Sequence, residues 1–190
     1  MPDLLTRSRF VLGFFSVFFY FLFIVKRKNT SSNGLFSSDT IPFLQLSFVF
    51  LILSIITDYF DGALARKWKC QSKFGAVYDP LADKLLVSAF LVLFGFAKAV
   101  HWIIPVLSLA REITVERIRY KLKKIGIWLK ANTTAKKKTA IQFAGIILGF
   151  LVTNSWGKEV LNIFFLFSLL FSFKSLTGYL KIYWDSFIEQ

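Results

Sequence analysis

The chain has 190 residues, of which 55% are hydrophobic and 18% aromatic, including 24 phenylalanines. A soluble domain of this size could not cover so much apolar surface, so the composition excludes an ordinary soluble protein and predicts an integral membrane protein. In a membrane protein, the formal net charge of +13 favours anionic lipid headgroups and phosphorylated substrates as partners, and we expect no nucleic-acid partner. The single cysteine excludes an internal disulfide, and the single histidine argues against a zinc site.

Six apolar runs follow one another along the chain, each close to the roughly 20 residues that a helical bilayer crossing needs. They predict an all-α bundle of six transmembrane helices, preceded by a polar or amphipathic N-terminal lead-in over residues 1–9. The runs cover residues 10–25, 41–56, 76–97, a segment that begins near Trp102 and becomes amphipathic, 132–152, and 160–184. Because no repeat or separate soluble segment interrupts them, we expect one membrane domain over residues 1–190.

The basic residues predict the orientation of this bundle. With six crossings, the loop at residues 66–73, the segment 117–138 and both termini fall on one side of the membrane, and that side carries most of the lysine and arginine. By the positive-inside rule it faces the cytoplasm. The pattern fits a bacterial inner membrane, with an organellar membrane as the alternative.

Four carboxylates stand in the apolar stretch at residues 57–84, at Asp58, Asp61, Asp79 and Asp83. Spacings of three and four residues place each pair on one face of a helix, and a basic turn between the pairs lets two antiparallel helices bring the carboxylates together. Converging carboxylates in a low-dielectric setting repel one another unless cations offset their charge. An all-oxygen ligand set suits Mg²⁺ or Mn²⁺.

The same stretch reads D-x2-D-G-x2-A-R-x8-G-x3-D-x3-D, with eight specified positions in 26 residues. It resembles the signature of the CDP-alcohol phosphatidyltransferases, membrane enzymes that displace CMP from a CDP-linked lipid with an alcohol. An alternative is that the aspartates only form structural ion pairs with Arg66, Lys73 and Lys84. That alternative leaves the glycines of the pattern unexplained.

The resemblance implies roles for individual residues. Two Mg²⁺ or Mn²⁺ ions would be held by the four aspartates, with Asp83 also the base that takes the proton of the alcohol. The residues that match family positions for CDP-diacylglycerol binding are Thr6, Arg9, Gly62, Ala65, Arg66, Ser72 and Gly75.

A second basic cluster is the candidate site for the acceptor alcohol, and its members are Arg111, Arg119, Lys136 and Lys138. Arg111 lies in an apolar helix, so its charge needs a partner such as Glu112 or a bound phosphate. The sequence around these residues resembles family members that use sn-glycerol 3-phosphate, although Ala135 replaces their usual glycine. The last apolar run is expected to contribute little beyond hydrophobicity, and the resemblance implies a homodimer.

Other functions remain open at this point. Inositol phosphate, serine or phosphatidylglycerol could be the acceptor, although an uncharged acceptor has less need of the basic cluster. A cation-coupled transporter would carry inverted repeats and broken helices in both halves, whereas these carboxylates lie in one half. A non-enzymatic scaffold does not explain the spacing of the signature.

Overall fold

The computed structural model describes residues 2–29, 39–68, 73–125, 133–152 and 155–188. Within these ranges, the side chains at 2–7, 29, 59, 61–68, 73–81, 133–137, 155 and 186–188 lie outside the description. The described residues form six helices and no strand, which confirms the all-α prediction. The helices are α1 (Pro2–Asn29), α2 (Ile41–Trp68), α3 (Lys73–Phe96), α4 (Ile103–Lys124), α5 (Thr133–Leu151) and α6 (Ser155–Ile188).

Three segments of the described chain are long and apolar enough to span a bilayer, namely Ser8–Lys28, Ile41–Asp58 and Trp156–Asp185. They belong to α1, α2 and α6, and each of these helices extends beyond its apolar segment. Lys138–Leu151 in α5 is a shorter apolar helix, and the second half of α4 is rich in charged residues. The number of helices therefore agrees with the sequence, while six membrane crossings remain a prediction.

The chain separates into two compact units, Met1–Ala97 and Lys98–Gln190. This division describes how the helices pack, and the expected single membrane domain over residues 1–190 stays a prediction. In the first unit, α1 contacts both other helices. Ser16 and Ser47 each donate a hydroxyl hydrogen bond to the other's carbonyl oxygen, at 2.8 and 2.7 Å. Arg9, earlier on α1, contacts Ser54, later on α2, so the two helices are antiparallel.

Aromatic side chains fill the contact between α1 and α3. Tyr20 packs edge-on against Phe90 and Phe94, with ring centroids 5.7 and 5.4 Å apart. All three side chains are buried. Contacts along α1 follow increasing residue numbers along α3, so these two helices are parallel. Because α2 is antiparallel to α1, α2 and α3 are antiparallel, as the sequence predicts for the helices that carry the aspartates.

In the second unit, α6 packs against both α4 and α5. The buried face of α4 repeats every three or four residues, which is the period of an amphipathic helix; it comprises Ile104, Pro105, Ser108, Arg111, Val115, Ile118 and Leu122. On α5, Gly145 faces α6. A β-carbon at Gly145 would lie 2.9 Å from two ring atoms of Phe165, so the missing side chain allows the close approach of the two helices.

Candidate active site

The guanidinium of Arg9 joins two of the four aspartates. Arg9 lies on α1 and is buried. Its Nη1 donates to Asp58 Oδ1 on α2, and its Nη2 donates to Asp83 Oδ1 on α3 at 2.7 Å. The first and last carboxylates of the signature are therefore held at one cation, although Asp58 and Asp83 are 25 residues apart in the sequence.

Close packing of the three helices positions this ion-pair cluster. Ser54 Oγ on α2 donates to the carbonyl oxygen of Arg9 at 3.5 Å. One turn along α1, a β-carbon at Gly13 would lie 3.3 Å from Leu86 Cδ1 and 3.8 Å from Ser54 Oγ. A side chain at Gly13 would therefore meet the end of Leu86, so the glycine allows the close approach of α1 and α3.

An apolar cavity of about 230 Å³ lies beside Arg9. It is walled by all three helices of the first unit, and small residues on α1 and α3 leave room for it. Its lining comprises Arg9, Phe10, Gly13, Phe14, Val17, Ser54, Ala82, Leu85, Leu86 and Ala89. A single site thus combines a charged group at one end with an apolar wall, which matches a ligand that has a charged head and a hydrocarbon tail.

The remaining predicted ligands of the donor site are placed only by their backbones. Asp61, Gly62, Ala65 and Arg66 lie on α2, Gly75 and Asp79 lie on α3, and Thr6 lies on α1. Their side chains are outside the described part of the structure, as is the whole of Ser72. Among the described residues, no three His, Cys, Asp or Glu side chains form a metal-binding group.

The two described carboxylates nevertheless fit a cation site. Asp58 and Asp83 approach one positive group from two different helices, and both present hard oxygen donors. Their side chains are 50% and 30% exposed, so neither carboxylate is sealed inside the helix bundle. Oxygen donors that converge on a point of positive charge are the ligand chemistry that Mg²⁺ and Mn²⁺ prefer.

In the second unit, Glu112 links two of the predicted acceptor-site cations. Arg111 Nη1 donates to Glu112 Oε1 at 3.1 Å, and Lys138 Nζ on α5 donates to the same oxygen. Arg111 Nε also donates to the carbonyl oxygen of Ser172 on α6 at 3.1 Å. The sequence predicted that Arg111 needs a partner such as Glu112 or a bound phosphate, and the structure shows the contact with Glu112. Two buried cations share one carboxylate in this cluster.

Arg119 lies two turns further along α4, in a different environment. Its Nη2 donates to the hydroxyl of Tyr179 on α6 at 2.8 Å. Its guanidinium also lies 5.2 Å from the centre of the Tyr179 ring. Glu116 Oε1 is 3.8 Å from Arg119 Nη1. The side chain of Lys136, the fourth predicted acceptor residue, lies outside the described residues.

The expectation that the last helix contributes little beyond hydrophobicity is wrong for its buried face. α6 buries Ser168, Ser172, Ser175 and Tyr179 on one face, and this face supplies the contacts to Arg111 and Arg119. The spacing of four, three and four residues was visible in the sequence as a polar stripe within an apolar helix, and such a stripe is a signal for burial against a polar partner. The hydrophobicity of residues 160–184 concealed it.

Comparisons with known proteins identify a family for this chain. The family model for CDP-alcohol phosphatidyltransferases matches residues 1–174. Three relatives carry the name CDP-diacylglycerol–glycerol-3-phosphate 3-phosphatidyltransferase. The one from Cereibacter sphaeroides is 44% identical over 54% of this chain and 48% of its own length. The one from Mycoplasma genitalium is 31% identical over 71% of this chain and 57% of its own length.

The third relative, from Yersinia enterocolitica, is 33% identical over 82% of this chain and 94% of its own length. This chain therefore covers about half of the first two relatives and nearly all of the third. The family match spans most of the chain and includes the aspartate signature. With its long apolar helices, this chain is an integral membrane protein that belongs to the CDP-alcohol phosphatidyltransferase family.

Proposed function

We propose that this protein transfers the phosphatidyl group of CDP-diacylglycerol to sn-glycerol 3-phosphate, giving phosphatidylglycerophosphate and CMP. The observation that carries the proposal is the convergence of Asp58 and Asp83 on the guanidinium of Arg9. This contact unites the two ends of the family signature beside an apolar cavity. The names of the relatives support the choice of both substrates.

The first unit supplies the proposed donor site. The apolar cavity suits part of the hydrocarbon of CDP-diacylglycerol, and the family resemblance assigns Arg9, which lines this cavity, to the same substrate. The family resemblance adds Thr6, Gly62, Ala65, Arg66, Ser72 and Gly75 to this site as proposed contacts.

The aspartates are the proposed holders of two Mg²⁺ or Mn²⁺ ions, with Asp58, Asp61, Asp79 and Asp83 as ligands. Such ions, when bound, supply positive charge that stabilises the diphosphate and the departing CMP. We assign to Asp83 the further task of accepting the proton of the attacking hydroxyl. As the new oxygen–phosphorus bond forms, the bond to CMP breaks, and CMP leaves with its electron pair.

The second unit supplies the proposed acceptor site. Arg111 and Lys138 place two cations on one carboxylate, and this local excess of positive charge suits a phosphate group. Arg119 and Lys136 are proposed as further cations of this site. Because the acceptor binds through its phosphate, the proposal favours glycerol 3-phosphate over serine or other acceptors without a phosphate.

The location of the protein and its assembly are part of the same proposal. Bacterial relatives and the distribution of basic residues support a bacterial inner membrane, with the aspartates facing the cytoplasm. The resemblance supports a homodimer surrounded by membrane lipids.

Release of CMP from CDP-diacylglycerol, measured for the purified protein in detergent–lipid micelles, tests the proposed reaction. We expect release with glycerol 3-phosphate in the presence of Mg²⁺ or Mn²⁺, and its loss when a chelator removes the metal. Parallel reactions contain serine, inositol phosphate or phosphatidylglycerol as the acceptor. Metal-dependent release with serine but not with glycerol 3-phosphate would overturn the assignment of the acceptor.

The role of Asp83 has its own test. Asp83→Asn retains the size of the side chain but removes its ability to accept a proton, so we expect it to abolish turnover while CDP-diacylglycerol binding stays measurable. Asp185→Asn, at an exposed aspartate of α6, is the matched control and is expected to turn over normally. Near-normal turnover by Asp83→Asn would refute its role as the base.

A further inference from the structure

Two neighbouring residues of α4 present unpaired polar atoms of opposite character. Arg111 Nη2 can only donate a hydrogen bond, and Glu112 Oε2 can only accept one. Both atoms are buried, and neither has a hydrogen-bond partner among the described residues. The side chains of Arg111 and Glu112 are 3% and 13% exposed. Buried polar atoms are nearly always paired in proteins, so these two indicate a ligand or a bound water.

The other polar atoms of the same two side chains are occupied, and these contacts hold them in place. Arg111 is held through Nε by the carbonyl oxygen of Ser172 and through Nη1 by Glu112 Oε1. Glu112 Oε1 accepts from Lys138 as well. The two unpaired atoms therefore belong to groups with a defined orientation, as expected for a preorganised binding site.

The surrounding face of α6 is polar too. Ser168 and Ser175 lie one turn before and one turn after Ser172, and the buried Oγ atoms of both lack a hydrogen-bond partner within the described residues. The two serines are seven residues, about 10 Å, apart along α6, so they make the surroundings of Ser172 polar and are not counted as partners of one molecule. The Arg111 and Glu112 atoms offer one donor and one acceptor, which suits a polar ligand with groups of both kinds.

The character of the atoms defines the chemical class of this ligand. The guanidinium atom Nη2 suits a phosphate oxygen. Glu112 Oε2 repels a phosphate oxygen and suits a hydroxyl group, which donates to it. A phosphate monoester that carries a hydroxyl close to its phosphate satisfies both atoms at once, whereas inorganic phosphate or a simple alkyl phosphate leaves the carboxylate oxygen unpaired.

We infer that Glu112 is a specificity-determining residue, which selects a polyol phosphate by accepting a hydrogen bond from the acceptor hydroxyl that does not react. This inference rests on the proposed function. Arg111 and Lys138 would bind the phosphate of the acceptor, and Glu112 would recognise a hydroxyl group on its carbon chain. For glycerol 3-phosphate, the selected group is the hydroxyl on the central carbon.

The test compares two acceptors that differ only in this hydroxyl, glycerol 3-phosphate and 3-hydroxypropyl phosphate. For the wild-type protein we expect kcat/KM for CMP release to be about 10- to 100-fold higher with glycerol 3-phosphate, because a hydrogen bond to a charged group has about this effect. Glu112→Gln keeps the shape of the side chain and removes its charge, and we expect the preference to fall severalfold towards equality. Glu112→Asp, which retains the charge but withdraws the oxygen, is a second variant with the same expectation.

Glu116→Gln is the matched control, because Glu116 lies one turn further along α4 and its side chain is 50% exposed. We expect this variant to keep the wild-type preference between the two acceptors. Equal use of both acceptors by the wild-type protein overturns the inference, and so does an equal loss of activity on both acceptors in the Glu112 variants. Absence of CMP release with either acceptor in the wild-type protein contradicts the proposed function instead.

Discussion

The contact between α5 and α6 permits a quantitative test through two glycines. Both Gly145 on α5 and Gly178 on α6 lie within helices, so replacing either with alanine gains about 1 kcal/mol of helix propensity. The surroundings of the two positions differ. A β-carbon at Gly145 would lie 2.9 Å from Phe165 Cε1 and Cζ, whereas no described atom lies within 4 Å of a β-carbon at Gly178.

Phe165 is 1% exposed, so its ring has little room to move away from an added methyl group. Overpacking of this kind destabilises a core by about 1–3 kcal/mol. Because the propensity gain is common to both variants, it cancels when they are compared. We therefore expect Gly145→Ala to be about 1–3 kcal/mol less stable than Gly178→Ala.

Thermal unfolding in detergent, followed by the loss of the helical circular dichroism signal, measures this difference. For a chain of this size, about 2–4 °C corresponds to 1 kcal/mol, so the midpoints of the two variants should differ by about 2–12 °C. We expect Gly178→Ala to unfold at or slightly above the wild-type midpoint. Equal midpoints for the two variants would show that α5 and α6 do not pack through Gly145.

Two further predictions concern the first unit. Ser16→Ala and Ser47→Ala each remove one hydrogen bond between α1 and α2, so we expect each to lower the free energy of unfolding by about 0.5–1.5 kcal/mol. Thr177→Ala removes a hydroxyl that donates to the carbonyl oxygen of Lys174 within α6, so it should change the free energy of unfolding less. The prediction fails if all three variants behave alike. Arg9→Lys keeps the charge but loses the forked contact to Asp58 and Asp83. We expect it to lower the free energy of unfolding by about 1 kcal/mol, a small value because both carboxylates are partly exposed. We also expect it to slow CMP release. Arg27→Lys on the same helix is its control, and equal behaviour of the two variants would count against the bridging role of Arg9.

The prediction of helices succeeded because its physical basis is local. Apolar runs of about 20 residues have few stable structures other than a membrane helix, and the spacing of Asp58 and Asp61 on such a run places them on one face. Helix ends were predicted in part. The apolar run covers residues 41–56, the aspartate spacing predicted a helix at Asp58 and Asp61 as well, and α2 continues to Trp68. Hydrophobicity locates the bilayer-crossing part of a helix and carries no signal for a polar extension.

The sequence predicted which residues belong to the candidate site, but only part of how they contact one another. Arg9 was assigned to the nucleotide lipid because it matches a family position. Nothing in the adjacent sequence indicated that it would pair with carboxylates 49 and 74 residues away. Its position depends on the parallel packing of α1 with α3 and its antiparallel packing with α2. These directions are properties of the assembled helices.

The sequence by itself determined that the protein lies in a membrane, which family it belongs to, and which carboxylates and cations are available for chemistry. Hydrophobic content and fixed residue spacing are properties of the linear sequence, so they need no knowledge of how the helices pack. Only the tertiary structure decided which groups meet. It placed Arg9 between Asp58 and Asp83 and set the serine face of α6 against Arg111. It also left Glu112 with one oxygen occupied by two cations and the other unpaired among the described residues. Such pairings join residues far apart in the chain, and their geometry follows from how the helices pack rather than from the local preference of any one segment.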